Sequence, residues 1–408
     1  MKKAFSEKTI STLQLFGFFT CFFSLFIFNY NIRQQVISNY SQRTFLWGIN
    51  FLAYLGFFSI CITMKKKYTK SDILLCIFPL ISLIFPLQIS LIGLRSLGYF
   101  VMYSSCCIFS LYFIMLEFSP EIRSKILRYF TICFNILIVL LLIWACIDHL
   151  FDQPILKWLS KYMTYNKNFS LFAYPVDTET NRFFSFFGHP LRNATLFNSF
   201  FVINVLYNEY HKPIIPSWLC CILSYLALAC CGSKTGLFVA VAITIITFYK
   251  NLKLLIPIII ALIVIAFSGL MDNLLTRLLS QSLTTGRISA LKSLLADSEH
   301  PIRFFHGYGS VGIADCPFAA FEFPFVMFSF EYGIAFALLI LGTIFAYVAI
   351  HLLKQKNIRA FLLWLLLFGE VNTYPDIAFD LDHSLIFCFL TMIIINICYD
   401  NDSIRKKE

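Results

Sequence analysis

The stretch YFTICFNILIVLLLIWACID, residues 129–148, decides the fold. Only its last residue, Asp148, is charged, and Thr131 and Asn135 are the polar interruptions among aliphatic and aromatic side chains. About twenty such residues in an α-helix cross the hydrocarbon layer of a bilayer, and the helix satisfies every backbone amide internally. Working outward, similar runs recur at 10–28, 44–63, 73–92, 97–117, 193–209, 215–231, 236–249, 254–271, 324–350, 360–371 and 384–398. The expected architecture is an all-α polytopic transmembrane bundle of about twelve spans, one integral membrane domain over residues 1–408. Composition agrees: 59% of residues are hydrophobic and 13% charged, against about 25% charged in a soluble domain.

The first apolar run follows Lys2 and Lys3 and imitates a signal peptide. The polar, bulky Asn29-Tyr30-Asn31-Ile32-Arg33 after it offers no small-residue cleavage site, so it reads as a retained helix. The net charge of +10 invites a nucleic-acid reading, but the cations are scattered over short loops, and orientation is their better use. With the N-terminus inside, the inner segments hold Lys2, Lys3 and Lys8; Lys65, Lys66, Lys67 and Lys70; and Arg123, Lys125 and Arg128. They also hold Lys212, Lys250, Lys253, Lys354, Lys356, Arg359, Arg405, Lys406 and Lys407. The short outer loops keep only Arg33, Arg43, Arg95 and Lys234. Positive charge concentrates on the cytoplasmic side, so both termini are expected there. All of the 14 cysteines except Cys316 fall in predicted spans and read as small packing residues.

Two outer segments, 149–192 and 271–323, interrupt the apolar pattern and are too long to be mere connectors. In the first, Ile155, Leu156, Trp158, Leu159, Tyr162 and Met163 share one helical face, which predicts a helix lying in the membrane interface. A charged, turn-rich approach from Asp177 to Arg192 follows, containing Arg182 and Gly188-His189-Pro190. In the second, Thr284-Thr285-Gly286-Arg287 precedes Ile288, Leu291, Leu294 and Leu295, another short amphipathic helix, and then comes His306-Gly307-Tyr308-Gly309. Gly232-Ser233-Lys234-Thr235-Gly236 tempts a phosphate-loop reading, which would require a strand before it. A membrane run precedes it instead, leaving Lys234 as a cation at headgroup level, where a snorkelling lysine is the plain alternative.

In their order and common side, these motifs resemble the O-antigen polymerase and O-antigen ligase family of bacterial inner-membrane glycosyltransferases, over about residues 180–340. The family's arginine, followed eight residues later by proline with glycine and histidine before it, is similar to Arg182 through Gly188-His189-Pro190. Ser185 stands where the family has glycine, and Leu191 where it often has asparagine. Gly232-Ser233-Lys234-Thr235-Gly236 resembles a G-S-R-T-G step with lysine for arginine, Thr285-Gly286-Arg287 an S-G-R element, and Gly307-Tyr308-Gly309 a G-x-G turn. In ligases a His-Asn pair stands eleven residues before a glycine that opens the next span; the same count back from Gly333 lands on Glu322. The resemblance implies a GT-C-like fold and a polysaccharide polymerase, ahead of a ligase, in the bacterial cytoplasmic membrane with its site on the outer face. It also implies an undecaprenyl-diphosphate-linked oligosaccharide donor, contact with membrane lipid, and a chain-length regulator and flippase of the same pathway as partners.

The chemistry can be reasoned from the residues. Diphosphate is already a good leaving group, so the site must chiefly supply positive charge. Arginine grips two oxygens at once, which nominates Arg182 and Arg287, with Lys234 as a third cation. Each well-placed donor contributes about 3–4 kcal/mol to the transition state. Glu322, isolated among Phe321, Phe323, Phe325 and Pro324, is costly there unless it holds its proton or lies beside a cation. It is the candidate base for the acceptor hydroxyl, with Glu331 its rival. His189, His306, Gly307 and Gly309 complete the candidate substrate-binding set. Structural salt bridges and lipid-phosphate contacts are the plainer roles for these charges. Neither metal-ligand spacing nor a cofactor motif is evident, and the acidic group Glu370, Asp376, Asp380, Asp382 and His383 reads best as a solvated loop. The competing classes are a transporter or flippase of lipid-linked sugars, which would place charge near the middle of spans, and a structural or signalling membrane protein.

Overall fold

The computed structural model describes residues 6–38, 44–64, 69–162, 182–250, 286–379 and 382–405, with a few single positions between 253 and 275. Most of the predicted span 254–271 lies outside them, as do Met163, Asp177, Asn181, Thr284, Thr285, Arg43, Asp380 and the Lys65, Lys66 and Lys67 cluster. Among the described residues every regular element is helical. Five helical stretches among the described residues are long and apolar enough to cross a membrane: Glu7–Ile27, Lys70–Leu91, Leu97–Met115, Pro120–Leu150 and Ile334–Lys354. Shorter apolar helices stand at Phe51–Thr63, Ser217–Cys231, Lys234–Phe248 and His383–Tyr399.

Helix α1 (Glu7–Phe22) starts at Ser6, whose hydroxyl accepts from the Thr9 amide, and runs on as a single π turn through Ile27. After α2 (Tyr30–Ser38) the predicted run 44–63 is broken in two, α3 (Thr44–Gly48) and α4 (Phe51–Thr63). Asn50 makes the break, its side chain capping α4 by accepting from the Ala53 amide at 3.1 Å. The run 73–92 likewise divides into α5 (Lys70–Ser82) and α6 (Ile84–Leu91), with Pro79 inside the first. There the proline removes a backbone donor and bends the helix. Next, α7 (Leu97–Tyr103) widens into a π turn and then tightens into 3₁₀ turns as far as Met115, before the unbroken α8 (Pro120–Leu150) and short α9 (Pro154–Tyr162).

Two later helices form the centre. In α10 (Pro190–Tyr210) all faces are buried through most of the length, and the same holds for α18 (His383–Arg405) from Leu385 to Cys398. Around them lie α11 (Ser217–Cys231), α12 (Lys234–Phe248) and α16 (Ile358–Val371). The second polar segment supplies α13 (Arg287–Ala296), followed by α14 (Pro324–Tyr332), α15 (Ile334–Lys354) and the single turn α17 (Asp376–Phe379). Leu55, Phe58 and Ile62 on α4, and Ile136, Leu140 and Ile143 on α8, point outward at helical spacing. Apolar stripes of this kind suit a hydrocarbon surround and not water.

The predicted run 324–350 is also interrupted. Gly333, at φ +105°, ends α14 and starts α15 in a new direction. Residues 303–309 wrap this break and satisfy its backbone groups. Ile334 and Ala335 amides donate to the Arg303 and Phe304 carbonyls, while Tyr308 and Gly309 amides donate to Phe330 and Glu331 carbonyls, at 2.9–3.0 Å.

Helices α1 and α4 touch backbone to backbone. A Cβ on Gly17 would stand 2.6 Å from the Gly56 carbonyl oxygen, and one on Gly56 2.5 Å from that of Gly17. Close approach through small residues is how helices pack in a medium without a hydrophobic drive. Gly56→Leu is therefore expected to lower stability by about 1–3 kcal/mol, read as a fall in the unfolding midpoint of the detergent-solubilised protein. An unchanged midpoint would refute this packing.

Candidate functional site

The chain from Arg182 to His189 lies against the end of α11. The Phe183 amide donates to the Cys230 carbonyl at 2.9 Å, and Arg182 Nε donates to the Cys231 carbonyl at 3.0 Å. Arg182 is thereby fixed three residues from Lys234 along the neighbouring corner. Ser185, where a glycine was expected from the resemblance, is buried with its hydroxyl against Asn193 of α10. Asn31 and Asn29 donate to the Phe186 carbonyl at 2.9 and 3.4 Å. Gly188 has φ +86°, and a Cβ there would stand 2.7 Å from Asn31 Nδ2. Both the left-handed backbone and the crowding call for glycine.

His189 caps α10: its Nδ1 accepts from the Leu191 amide at 3.2 Å, and Pro190 occupies the first helical position. The ring stacks on Tyr374 at 4.6 Å between centroids. Burial pushes the imidazole well below its ordinary range, helped by the positive charges of Arg182, Arg192, Arg287 and then His383. One candidate cation from each polar segment, Arg182 and Arg287, therefore acts on the same place, together with Arg192. Arg192 also donates from Nη1 to the Phe187 carbonyl at 2.9 Å.

Arg287 opens α13 after Gly286, which takes φ +79°. It shares a face with Ala290, Leu291 and Leu294, the side on which α13 packs against the 3₁₀ turn Phe318–Phe321. Glu322 ends that turn, and Arg287 Nε donates directly to its carboxylate. The expected cation beside Glu322 is thus its partner from the same polar segment. The rival Glu331 is buried at the end of α14 and faces a different arginine, Arg95, at 3.8 Å.

Lys234 is buried at the first position of α12. Gly232 closes α11 at φ +59°, and Ser233 caps α12 by accepting from the Gly236 amide at 3.0 Å. The Gly232–Gly236 stretch joins helix to helix, so a strand-dependent phosphate loop has no place here. A Cβ on Gly236 would meet Leu228, Ser233 and Ala194 side chains at 2.8–3.1 Å.

His306 is exposed and no interaction among the described residues ties it to this cluster. Gly307 and Gly309 are buried against α14: a Cβ on Gly307 would lie 2.2 Å from the Glu331 carbonyl carbon. Arg95 Nε donates to the Gly309 carbonyl at 2.6 Å. The glycines of this turn serve packing around the Gly333 break. In the first segment, α9 buries Leu156 against Ile32, Phe184 and Phe186, while Trp158 and Tyr162 stay exposed.

Of the acidic group, Glu370, Asp382 and His383 are buried and not the solvated loop that their composition suggests; Asp380 and the Asp376 side chain lie outside the described residues. Asp382 is buried and bound by Arg33 through two oxygens at 3.0 Å. Glu370 is buried at the end of α16, where Asn198 Nδ2 donates to its two oxygens at 2.9 and 3.0 Å and to the Gly236 carbonyl at 3.0 Å. Because Asn198 bridges Glu370 and the Gly236 carbonyl, two residues after Lys234, this carboxylate lies on the Lys234 side of the cluster. Arg192, Asn198, Glu370 and His383 were not among the sequence candidates. Their signal was present as polar residues at the edges of, or inside, apolar runs. No family model, curated protein or solved structure matches this chain.

The depressed His189 imidazole sets a pH dependence. An unfolded histidine takes up its proton as pH falls through about 6.5, whereas the folded one resists until well below it. Stability present above about pH 6.5 is therefore lost progressively as pH falls below that value. His189→Asn keeps a capping side chain without the titration. The wild type should lose more stability than this variant between pH 7 and 5.5 in thermal unfolding; parallel curves would refute the assignment.

Proposed function

We propose that this protein is a surface polysaccharide polymerase of the bacterial cytoplasmic membrane. It would transfer glycan from an undecaprenyl-diphosphate-linked donor to a hydroxyl of an acceptor repeat unit. In this reading the chain has about twelve spans in a GT-C-like arrangement, both termini are cytoplasmic, and the Arg182 end faces the periplasm or exterior. The observation that carries the reading is the direct pairing of Arg287 with Glu322, with Arg182, Arg192 and Arg287 all within electrostatic reach of the buried His189.

A lipid diphosphate brings concentrated negative charge to the bilayer surface, and a cluster of planar guanidinium groups suits it. Arriving between Arg182 and Arg287, the diphosphate competes with Glu322 for the Arg287 guanidinium. The released carboxylate then accepts the proton of the acceptor hydroxyl. The hydroxyl oxygen forms a bond to the anomeric carbon, the bond from that carbon to the diphosphate oxygen breaks, and its electron pair leaves with the lipid diphosphate. One displacement inverts the anomeric centre. The step uses charges of the protein itself and calls for no metal or cofactor. Lys234, three residues beyond the Cys231 carbonyl that holds Arg182, extends the positive charge toward the departing group.

Glu322→Gln is expected to lower polymer formation by about 10²–10⁴-fold, and Arg287→Ala by about 10²–10³-fold. Cells carrying either variant at normal protein level should accumulate single lipid-linked repeat units on the outer leaflet. Full polymer length in both variants would defeat the proposal, and accumulation on the inner leaflet would point to a flippase.

A further inference from the structure

The opposite end of the bundle holds a second polar site, in a cavity of about 410 Å³ where the ends of α10, α12 and α15 meet the start of α16. Ligand sites commonly have such volumes, roughly 300–1,000 Å³. Helix α10 has 21 residues, so at 1.5 Å per residue this cavity lies roughly 30 Å from His189, about one hydrocarbon thickness. Helices α12 and α16 likewise run from one site to the other, from Lys234 to Thr247 and from Arg359 to Glu370.

Three cations, Lys250, Lys356 and Arg359, line the cavity against one carboxylate, Glu209. Arg359 is held in place: Nη1 donates to Glu209 at 3.0 Å and Nη2 to the Thr247 carbonyl at 3.3 Å. Its Nε, the Thr247 hydroxyl and both amide atoms of Gln355 are buried with no hydrogen-bond partner among the described residues. Buried polar atoms in native proteins are almost always satisfied, and four unsatisfied ones around a single cavity mark a place where a ligand completes them. The excess of positive charge, with donors on Gln355, Thr247 and Arg359, fixes the sign of that ligand.

We infer that this cavity binds a phosphate-class oxyanion, with Arg359 Nε and the Gln355 amide as donors and Lys250 and Lys356 supplying charge. The inference does not depend on the polymerase reading. The same chemistry is offered by a phospholipid headgroup of the adjoining leaflet and by a soluble phosphate, and the test separates them.

Full-length protein is delipidated in an uncharged, phosphorus-free maltoside detergent and titrated by calorimetry with inorganic phosphate and, separately, with short-chain phosphatidylglycerol. Saturable binding of phosphate identifies a soluble ligand, and binding of phosphatidylglycerol alone identifies a headgroup site. Either affinity should fall at least about tenfold in Lys250→Ala/Lys356→Asn. Both lysines are exposed, and Lys356 sits at φ +56°, a left-handed conformation that asparagine tolerates. Gln355→Glu preserves shape and adds a repelling charge, so it should abolish binding while the protein still elutes as a single species. The inference falls if neither probe saturates or if both variants bind like the parent. It also falls if binding vanishes in Arg287→Ala but survives in the lysine variant, since the anion would then occupy the other end.

Discussion

The buried ion pair of Arg33 and Asp382 holds together the end of the bundle where the cations gather. Taking two charges out of water costs several kcal/mol each unless geometry and further hydrogen bonds repay it. Here both are present. The guanidinium grips both carboxylate oxygens at 3.0 Å, and its remaining donors reach the Trp47 and Gly48 carbonyls. Asn50 donates to the same carboxylate at 3.3 Å and to the Ser24 carbonyl. One pair therefore fastens α2, the break between α3 and α4, the end of the first helix, and the start of α18. His383, next to Asp382, is carried by this fastening into the field around His189.

Around that anchor the electrostatics run against ordinary helix practice. Acidic residues usually occupy the first turn of a helix, where the dipole is positive. The first turns of α10, α12, α13 and α18 contain none, and carry Arg192, Lys234, Arg287 and His383 instead. Each of these ends adds its own partial positive charge to that of the side chains. The cost to stability is offset by fixing Arg182, Arg192 and Arg33 on backbone carbonyls. Helix N-termini with basic side chains are places where an anion is favoured from several directions at once. Burial first, and then these surrounding positive charges, hold the His189 imidazole well below its ordinary range.

Much of the fold was legible because a bilayer-length apolar run declares itself without tertiary information. The interruptions were not. Asn50 and Gly333 sit inside runs that read as continuous, and hydropathy does not register that a loop such as 303–309 will cap the broken ends. In the site, Arg182 and Arg287 were nominated by motif order and the chemistry of a diphosphate, and Glu322 by its isolation among aromatic residues; the pairing of the last two is visible only in three dimensions. Glu370 and Asp382 did not, since they border polar turns, and nothing local distinguishes a solvated carboxylate from one buried on Asn198 or Arg33. Arg33 served only as a marker of orientation. Asn198 and Asn204 carried a signal that deserved weight: an amide within an apolar run needs a partner on another helix, here Glu370 and Asn135.

Those amide contacts also limit how the site can respond to a ligand. Asn204 exchanges hydrogen bonds with Asn135 of α8 at 2.8 and 3.0 Å, and Asn198 ties α10 to α16 and α12. The central helix is thus pinned at two levels, and sliding it would strand buried amides. Adjustment must come from the weaker ion pair. The side chains of Arg33 and Asp382 are 4% and 3% accessible, those of Arg287 and Glu322 17% and 27%. Water and a competing polyanion can reach the second pair but not the first, and breaking it leaves neither charge buried without solvent. The Arg287–Glu322 pair is therefore the one open to exchange, while Arg33 and Asp382 keep the frame, which separates the part of this end that solvent can reach from the part that it cannot.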